Sequence, residues 1–128
     1  SNENPVFYVQ YAHARICSIF KEAEKRGIKY ERFLGLSNLD KYEEKALLRE
    51  LALFPNSLVN ASLQFKPNLL TQYLEKVSSR FHHFYNSLSV LNADNYDLMQ
   101  ARLNLCEATK IVLNRGLSIL GVSAPESM

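Results

Sequence analysis

Apolar side chains recur along this chain at steps of three and four residues, and no segment alternates polar and apolar residues at a step of two. Steps of three and four match the 3.6-residue turn of an α-helix, whereas a strand needs a period of two. The most sustained series follows Pro67 and consists of Leu70, Leu74, Val77, Phe81, Phe84 and Leu88. We therefore expect an all-α fold, a bundle of about five helices with short connections.

Proline, glycine and asparagine residues set the expected limits of these helices. The first helix begins at Asn4-Pro5 and ends at Gly27, and a stretch without a clear period, 28–38, is expected to be a loop or a short turn. The other four helices are predicted from Leu39 to Phe54, from Pro55 until Lys66-Pro67, from Pro67 to Leu88, and from the turn at 92–95 to Leu120, before Gly121. Residues 3–128 are expected to form a single domain, and Ser1-Asn2 to be a cloning remnant.

The same periodicity assigns an inward and an outward face to each helix. In the second helix the predicted inward residues are Ala46, Leu47, Leu48, Leu51 and Phe54, and the outward ones are Lys41, Glu44, Lys45 and Arg49. The predicted inward residues of the third helix are Leu58, Val59, Ser62 and Leu63, and those of the fifth are Leu98, Ala101, Leu105, Ala108, Val112 and Leu117.

The composition is that of an ordinary soluble domain. The 128 residues include 15 Lys and Arg against 13 Asp and Glu, a net charge of +2. This charge is too weak to hold nucleic acid by electrostatics alone, so an RNA partner would also have to be held by shape and base stacking. Cys17 and Cys106 form no C-x-x-C pair and are expected to be reduced core thiols. Neither a signal peptide nor a membrane span is expected, which favours a cytoplasmic location.

Catalytic and metal-binding patterns are weak or absent. Residues 116–123 imitate a phosphate-binding loop, but Val122 stands where that loop needs a lysine, and the preceding segment is helical in pattern. His82 and His83 are adjacent, so on a helix they point about 100° apart and cannot share a metal ion. We expect one core-edge and one surface histidine, and a chain that by itself catalyses nothing and holds no metal or cofactor.

Both ends of the chain carry long motifs. The first helix contains Tyr8-Val9-Gln10-Tyr11-Ala12-His13-Ala14-Arg15, and the chain closes with 112–128, which ends in Ala124-Pro125-Glu126-Ser127-Met128. These segments resemble the opening and closing signatures of the C-terminal anticodon-binding domain of arginyl-tRNA synthetases. The resemblance covers residues 4–128, and within it Gln10, His13, Arg102, Gly116 and Gly121 are interpreted as structural motif residues.

The resemblance implies that this chain is a fragment of a class I aminoacyl-tRNA synthetase. The catalytic half, which uses ATP and Mg²⁺ to charge tRNA(Arg) with arginine, would lie upstream of Asn4 in the same polypeptide. The implied partners of the fragment are the anticodon stem-loop of tRNA(Arg) and that upstream half. The parent is expected to be monomeric.

The candidate RNA-binding residues are Tyr8, Tyr11, Arg15, Tyr85 and Met128. Tyr8, Tyr11 and Arg15 are spaced i, i+3 and i+7, which puts them on one side of the first helix. Unpaired bases can stack on tyrosine rings and guanidinium planes. The resemblance implies a stacking role for Tyr85. It also suggests that the thioether of Met128 packs on a base while its carboxylate accepts from the amine of the middle anticodon cytosine.

Structural explanations stay open for the same residues. Tyr8 and Tyr11 could be aromatics at the edge of the core, and Arg15 could pair with an acid. Gln10 and His13 could fix neighbouring helices, and the basic residues Lys21, Lys25, Lys29 and Arg32 could form a solvated face or contact the RNA backbone. The alternative function is a helical protein-interaction module, in which these aromatics line a groove for a partner helix.

Overall fold

The structure, a computed structural model, describes residues 4–128, and this range forms five α-helices and one 3₁₀ turn without any strand. The helices are α1 (Pro5–Lys25), α2 (Tyr42–Ala52), α3 (Phe54–Leu63), α4 (Pro67–Ser87) and α5 (Tyr96–Ile119), and the 3₁₀ turn is Leu36–Asn38. The predicted all-α five-helix bundle is confirmed. The predicted cloning remnant, Ser1-Asn2, lies outside the described residues.

The predicted start and stop signals act at both ends of α1 and α5. The side chain of Asn4 accepts from the backbone N–H of Val6 at 2.9 Å, and Pro5 occupies the first turn of α1. Asn95 caps α5 in the same way, accepting from the N–H of Leu98 at 2.8 Å. Gly27 and Gly121, just past the ends of these helices, have φ of 72° and 75°, a region that favours glycine.

Helix α4 is the centre of the bundle, since it contacts all four other helices. Its predicted inward residues Leu70, Leu74, Val77, Phe81 and Phe84 are all buried. Gly116 lets α5 approach closely: a Cβ at this position would lie 2.5 Å from the Cδ2 atom of Leu74. Gly116 therefore lies within the last turns of α5 as a packing residue.

Some predicted faces are wrong. Glu44 was predicted to point outward but is completely buried, because the guanidinium Nε of Arg102 donates to its carboxylate at 2.7 Å. Arg102 also donates to the carbonyl oxygen of Ser89 at 2.7 Å, so it joins α2, α5 and the segment after α4. A carboxylate can leave water when a cation and hydrogen bonds replace it, and hydropathy alone does not reveal such a partner.

Several apolar residues that were predicted to be inward are instead exposed; they are Leu48, Val59, Leu63 and Ala108. The second helix is also shorter than predicted, since Leu39 precedes it and Phe54 begins α3. Cys106 is buried as predicted, but Cys17 is only partly buried, and both thiols are free. None of the helices in residues 4–128 combines the length and apolar character needed to cross a bilayer.

The connection between α1 and α2 is held against α5 by side-chain amides. The Oδ1 atom of Asn104 accepts from the hydroxyl of Tyr30 and from the N–H of Phe33, both at 2.8 Å. The amide of Gln100 donates to the carbonyl oxygen of Lys29 at 2.7 Å. The loop predicted at 28–38 is therefore ordered by long-range hydrogen bonds that no local pattern reveals.

Candidate nucleic-acid interface

The chain end folds back along α1. After Gly121, the carbonyl oxygen of Ser123 accepts from the Nε2 atom of Gln10 at 2.9 Å. The carbonyl oxygen of Pro125 lies 2.9 Å from Nδ1 of His13, and since a carbonyl can only accept, the imidazole donates. Gln10 and His13 are both buried. They thus fix the C-terminal segment, where the sequence suggested that they fix neighbouring helices, and they place Met128 beside α1.

Arg15 joins α1 to α4 through two aromatic rings. Its guanidinium carbon lies 5.1 Å from the centroid of the Tyr11 ring and 4.6 Å from that of Tyr85. One guanidinium N–H also donates to the Tyr11 hydroxyl at 2.9 Å. Cations over aromatic faces are attracted by the ring quadrupole. No acidic side chain pairs with Arg15 among the residues described, so the predicted alternative of an acid partner does not hold here.

His82, in α4, packs against two tyrosine rings of α1. Its ring centroid lies 5.3 Å from that of Tyr8 and 5.6 Å from that of Tyr11. Burial, followed by the nearby Arg15 cation, lowers the pKa of His82 to about 4, so its imidazole is neutral at pH 7. Arg15 lies 3.4 Å from Nδ1 of His82 and can only donate, so the imidazole proton is on Nε2. The buried Nε2 atom has no hydrogen-bond partner.

Two cavities share Tyr11 and Arg15 in their linings. One, of about 730 Å³, lies between α1 and the end of α4 and includes Tyr85 in its lining. The other, of about 750 Å³, is lined by Phe7, Tyr8, Tyr11, Arg15, His82, Asn86 and Met128. Tyr11, Arg15, Asn86 and Met128 line both cavities. Each cavity is large enough for a planar heterocycle.

All five predicted RNA-binding residues therefore meet at one surface, which we call the aromatic surface: Tyr8, Tyr11, Arg15, Tyr85 and Met128. Tyr11, Tyr85 and Met128 are 44%, 37% and 63% exposed, so a ligand can reach them. Their contact with RNA stays a prediction. Arg102 and Gly116 lie elsewhere as packing residues, and Gly121 ends α5, just before the segment that returns to α1.

Sequence reasoning missed Phe7, His82 and Asn86 as lining residues. His82 lies three residues before Tyr85 and four residues before Asn86, so helical spacing could have linked each of them to His82. Phe7 precedes Tyr8 and gave no separate signal. The basic residues Lys21, Lys25, Lys29 and Arg32 are exposed and line neither cavity. Arg26 lines the cavity between α1 and the end of α4, where its guanidinium donates to the side chains of Glu22 and Asn92.

Comparison with known proteins gives a consistent result. The profile of the DALR anticodon-binding domain matches residues 9–128. The chain belongs to this family. The chain is 48% identical over all of its 128 residues to an arginine–tRNA ligase of Thermotoga maritima, and 44% identical to one of Legionella pneumophila. The arginyl-tRNA synthetase of Thermus thermophilus contains a similar structure, with a TM-score of 0.87 and 33% identity over the whole DALR domain.

These comparisons confirm the resemblance to the anticodon-binding domains of arginyl-tRNA synthetases. The DALR domain spans only 23% and 22% of the lengths of the Thermotoga and Legionella relatives, and 22% of the Thermus chain. In residues 4–128, no three His, Cys, Asp or Glu side chains are grouped so that they could hold a metal ion.

Proposed function

We propose that this DALR domain binds the anticodon stem-loop of tRNA(Arg) and is part of an arginine–tRNA ligase. The observation that carries the proposal is the aromatic surface, where Tyr11, Arg15, Tyr85 and Met128 are accessible around two cavities. Anticodon bases are single-stranded, so they can leave their stack and enter such cavities. The family and the names of the relatives support the same assignment.

Stacking explains how a domain with a net charge of only +2 can hold RNA. Each base that stacks on an aromatic ring contributes roughly 1 to 3 kcal/mol. The Arg15 guanidinium lies over the rings of Tyr11 and Tyr85 and adds a positive charge for a phosphate. We propose that Tyr8, Tyr11 and Tyr85 stack on splayed bases and that Arg15 and exposed lysines contact the backbone.

The chain end supplies the proposed selectivity for arginine anticodons, which share a middle cytosine. The exocyclic amine of cytosine is a donor that a carboxylate can accept from. Met128 lines both cavities, and we propose that its carboxylate makes this contact. Addition of residues after Met128 should weaken discrimination of the middle cytosine, and unchanged discrimination would contradict this contact.

The proposed parent enzyme carries its catalytic half upstream of Asn4, and ATP and Mg²⁺ act there, in the cytoplasm of the cell. In that arrangement the DALR domain holds the anticodon arm so that the acceptor end reaches the distant active site. The parent is proposed to act as a monomer.

The test is equilibrium binding of an anticodon hairpin to the chain over a range of salt concentrations. Affinity should fall with salt because phosphate contacts release counterions. Tyr11→Ala should weaken binding about tenfold or more, and Tyr11→Phe less, because the phenylalanine ring still stacks. The matched control is Tyr42→Ala, since Tyr42 is 66% exposed but lines neither cavity.

The result that would overturn the proposal is a Tyr11→Ala variant that binds the hairpin as tightly as the Tyr42→Ala variant. Absence of any salt-dependent RNA binding would do the same and would favour the alternative, a protein-interaction module. Equal losses for Tyr11→Phe and Tyr11→Ala would point to the hydroxyl of Tyr11, which is bonded to Arg15, in place of stacking by its ring.

A further inference from the structure

Helix α3 buries very little of its apolar surface. Ala61 is the only buried residue of its ten. Val59 and Leu63, one turn apart, are 55% and 73% exposed, and Phe65, just after the helix, is 91% exposed. We call these three residues the α3 face. Single exposed apolar residues are common, but a contiguous group on one helix indicates a surface that another partner covers.

The backbone at Phe65 holds its ring outward. Phe65 has a φ of 52°, in the left-handed region that is unfavourable for a bulky side chain. Its N–H and that of Lys66 donate to the carbonyls of Ser62 and Ala61, closing the end of α3. The turn thus places an unpaired aromatic ring beyond the last turn of the helix.

The chemistry of the α3 face favours an apolar protein surface over RNA as the partner. No charged residue occurs from Leu51 to Phe65, so the face has no cation of its own for a phosphate. An uncharged apolar face of this kind fits an apolar protein surface, as in the interfaces between domains of one chain.

The position of α3 in the bundle indicates which protein surface covers the α3 face. Phe54, at the start of α3, stacks on Tyr73 in α4 with centroids 6.1 Å apart. The adjacent Leu74 packs against Gly116 in the last turns of α5, and the segment after α5 is bonded to Gln10 of α1. Since Gln10 lies in the second turn of α1, α3 and the beginning of α1 share one end of the bundle.

We propose that the α3 face docks on the part of the parent polypeptide that precedes Asn4. This inference rests on the proposed function, which places the catalytic half upstream. Chains of the relatives are more than four times as long as this domain, which spans 22–23% of them, so ample polypeptide is available to cover the face. The α3 face and the aromatic surface share no residue, since Val59, Leu63 and Phe65 line neither of the two cavities.

Phe33 offers a matched control. It is 70% exposed and also has a positive φ, 66°, but it lies in the loop before α2, where its N–H is bonded to Asn104 of α5. The guanidinium of Arg32 covers its ring at 5.3 Å. Phe33 and Phe65 therefore share residue type, exposure and backbone strain but differ in location and neighbours.

The experiment uses the full-length polypeptide with the photo-crosslinking analogue p-benzoylphenylalanine in place of Phe65 or, as control, of Phe33. Irradiation should link position 65 to residues upstream of Asn4 in the same polypeptide, and position 33 should give little of this product. Leu63→Asp should reduce the product from position 65 about tenfold, because docking would bury an unpaired carboxylate. Leu36→Asp, near Phe33, should leave it unchanged.

Three results would overturn the docking proposal: no upstream product from position 65, a product that joins two polypeptides, or a product with added tRNA. Equal upstream yields from positions 33 and 65 would overturn it as well. Hairpin binding by the same protein separates this proposal from the proposed function. Intact hairpin binding without the crosslink overturns docking alone, and an intact crosslink without hairpin binding overturns the RNA assignment alone.

Discussion

The imidazole of His13 donates from Nδ1 to the carbonyl oxygen of Pro125 across 2.9 Å, which ties the C-terminal segment to the helix that carries Tyr11. One turn earlier in α1, the Nε2 atom of Gln10 donates to the carbonyl oxygen of Ser123. Residues that lie more than 110 positions apart in sequence are thereby brought to one surface. The two motifs at the ends of the chain are thus parts of one structural unit.

Loss of the hydrogen bond between Gln10 and Ser123 should weaken RNA binding without unfolding the domain. Gln10→Met keeps the side-chain volume and removes the donor to Ser123, so the segment that carries Met128 becomes more mobile. We expect hairpin affinity to fall about three- to tenfold, because one hydrogen bond is lost and the binding segment must then be ordered when RNA binds. The measurement is a binding titration alongside thermal unfolding by circular dichroism. Gln72→Met, on the exposed side of α4, is the control, and equal affinities for the two variants would contradict the role of this hydrogen bond.

The buried ion pair of Arg102 and Glu44 should dominate the effect of charge on stability. Arg102→Met leaves the Glu44 carboxylate, which has no solvent exposure, without a cation, and the free energy of unfolding should fall by about 3 to 5 kcal/mol. Arg26→Met removes a cation from an exposed pair with Glu22 and should cost less than about 1 kcal/mol. Urea unfolding measures both.

The double variant Glu44→Met/Arg102→Met separates the charge from the packing. With both ions gone, it should recover most of the loss seen in Arg102→Met. If Arg102→Met unfolds no more easily than Arg26→Met, the buried pair does not have the assigned structural role.

His82 should make stability depend on pH. Burial and Arg15 lower its pKa to about 4 in the folded chain, whereas an unfolded histidine titrates near 6.5. Between these values the unfolded chain binds the proton and the folded chain does not, so the free energy of unfolding falls as the pH drops from about 6.5 to about 4. With the partial exposure of the ring taken into account, we expect a loss of about 1 to 2 kcal/mol.

The check is a series of urea unfolding curves across this pH range. His82→Gln should remove this part of the pH dependence, while His83→Gln, at an exposed position on the same helix, should keep it. A wild-type slope that persists in His82→Gln would assign the effect to other groups.

Local patterns predicted the helices well, because capping residues and apolar spacing act within a few residues of each other. Asn4, Asn95, Gly27 and Gly121 act at helix ends as predicted. The faces of the short helices were harder to predict. The burial of Glu44 depends on Arg102, 58 positions away, and the exposure of Leu63 depends on how few elements pack against α3.

The candidate site was predicted in its residues but not in its geometry. Helical spacing placed Tyr8, Tyr11 and Arg15 on one side of α1, and the resemblance added Tyr85 and Met128. The central contact of Arg15 with Tyr85 and the support from His82 are long-range pairings between α1 and α4. Such pairings follow from the packing of the whole bundle, which no periodicity in a single segment reveals.

The central claim is that the aromatic surface binds unpaired bases. The most direct test is the ratio of two dissociation constants, for an anticodon hairpin and for a continuous RNA duplex with the same number of phosphates. The account predicts that the hairpin binds about 30-fold tighter or more, the ratio that roughly 2 kcal/mol of stacking provides, and that Tyr11→Ala reduces this ratio. Equal affinity for hairpin and duplex would contradict it, because the RNA would then be held through its backbone alone.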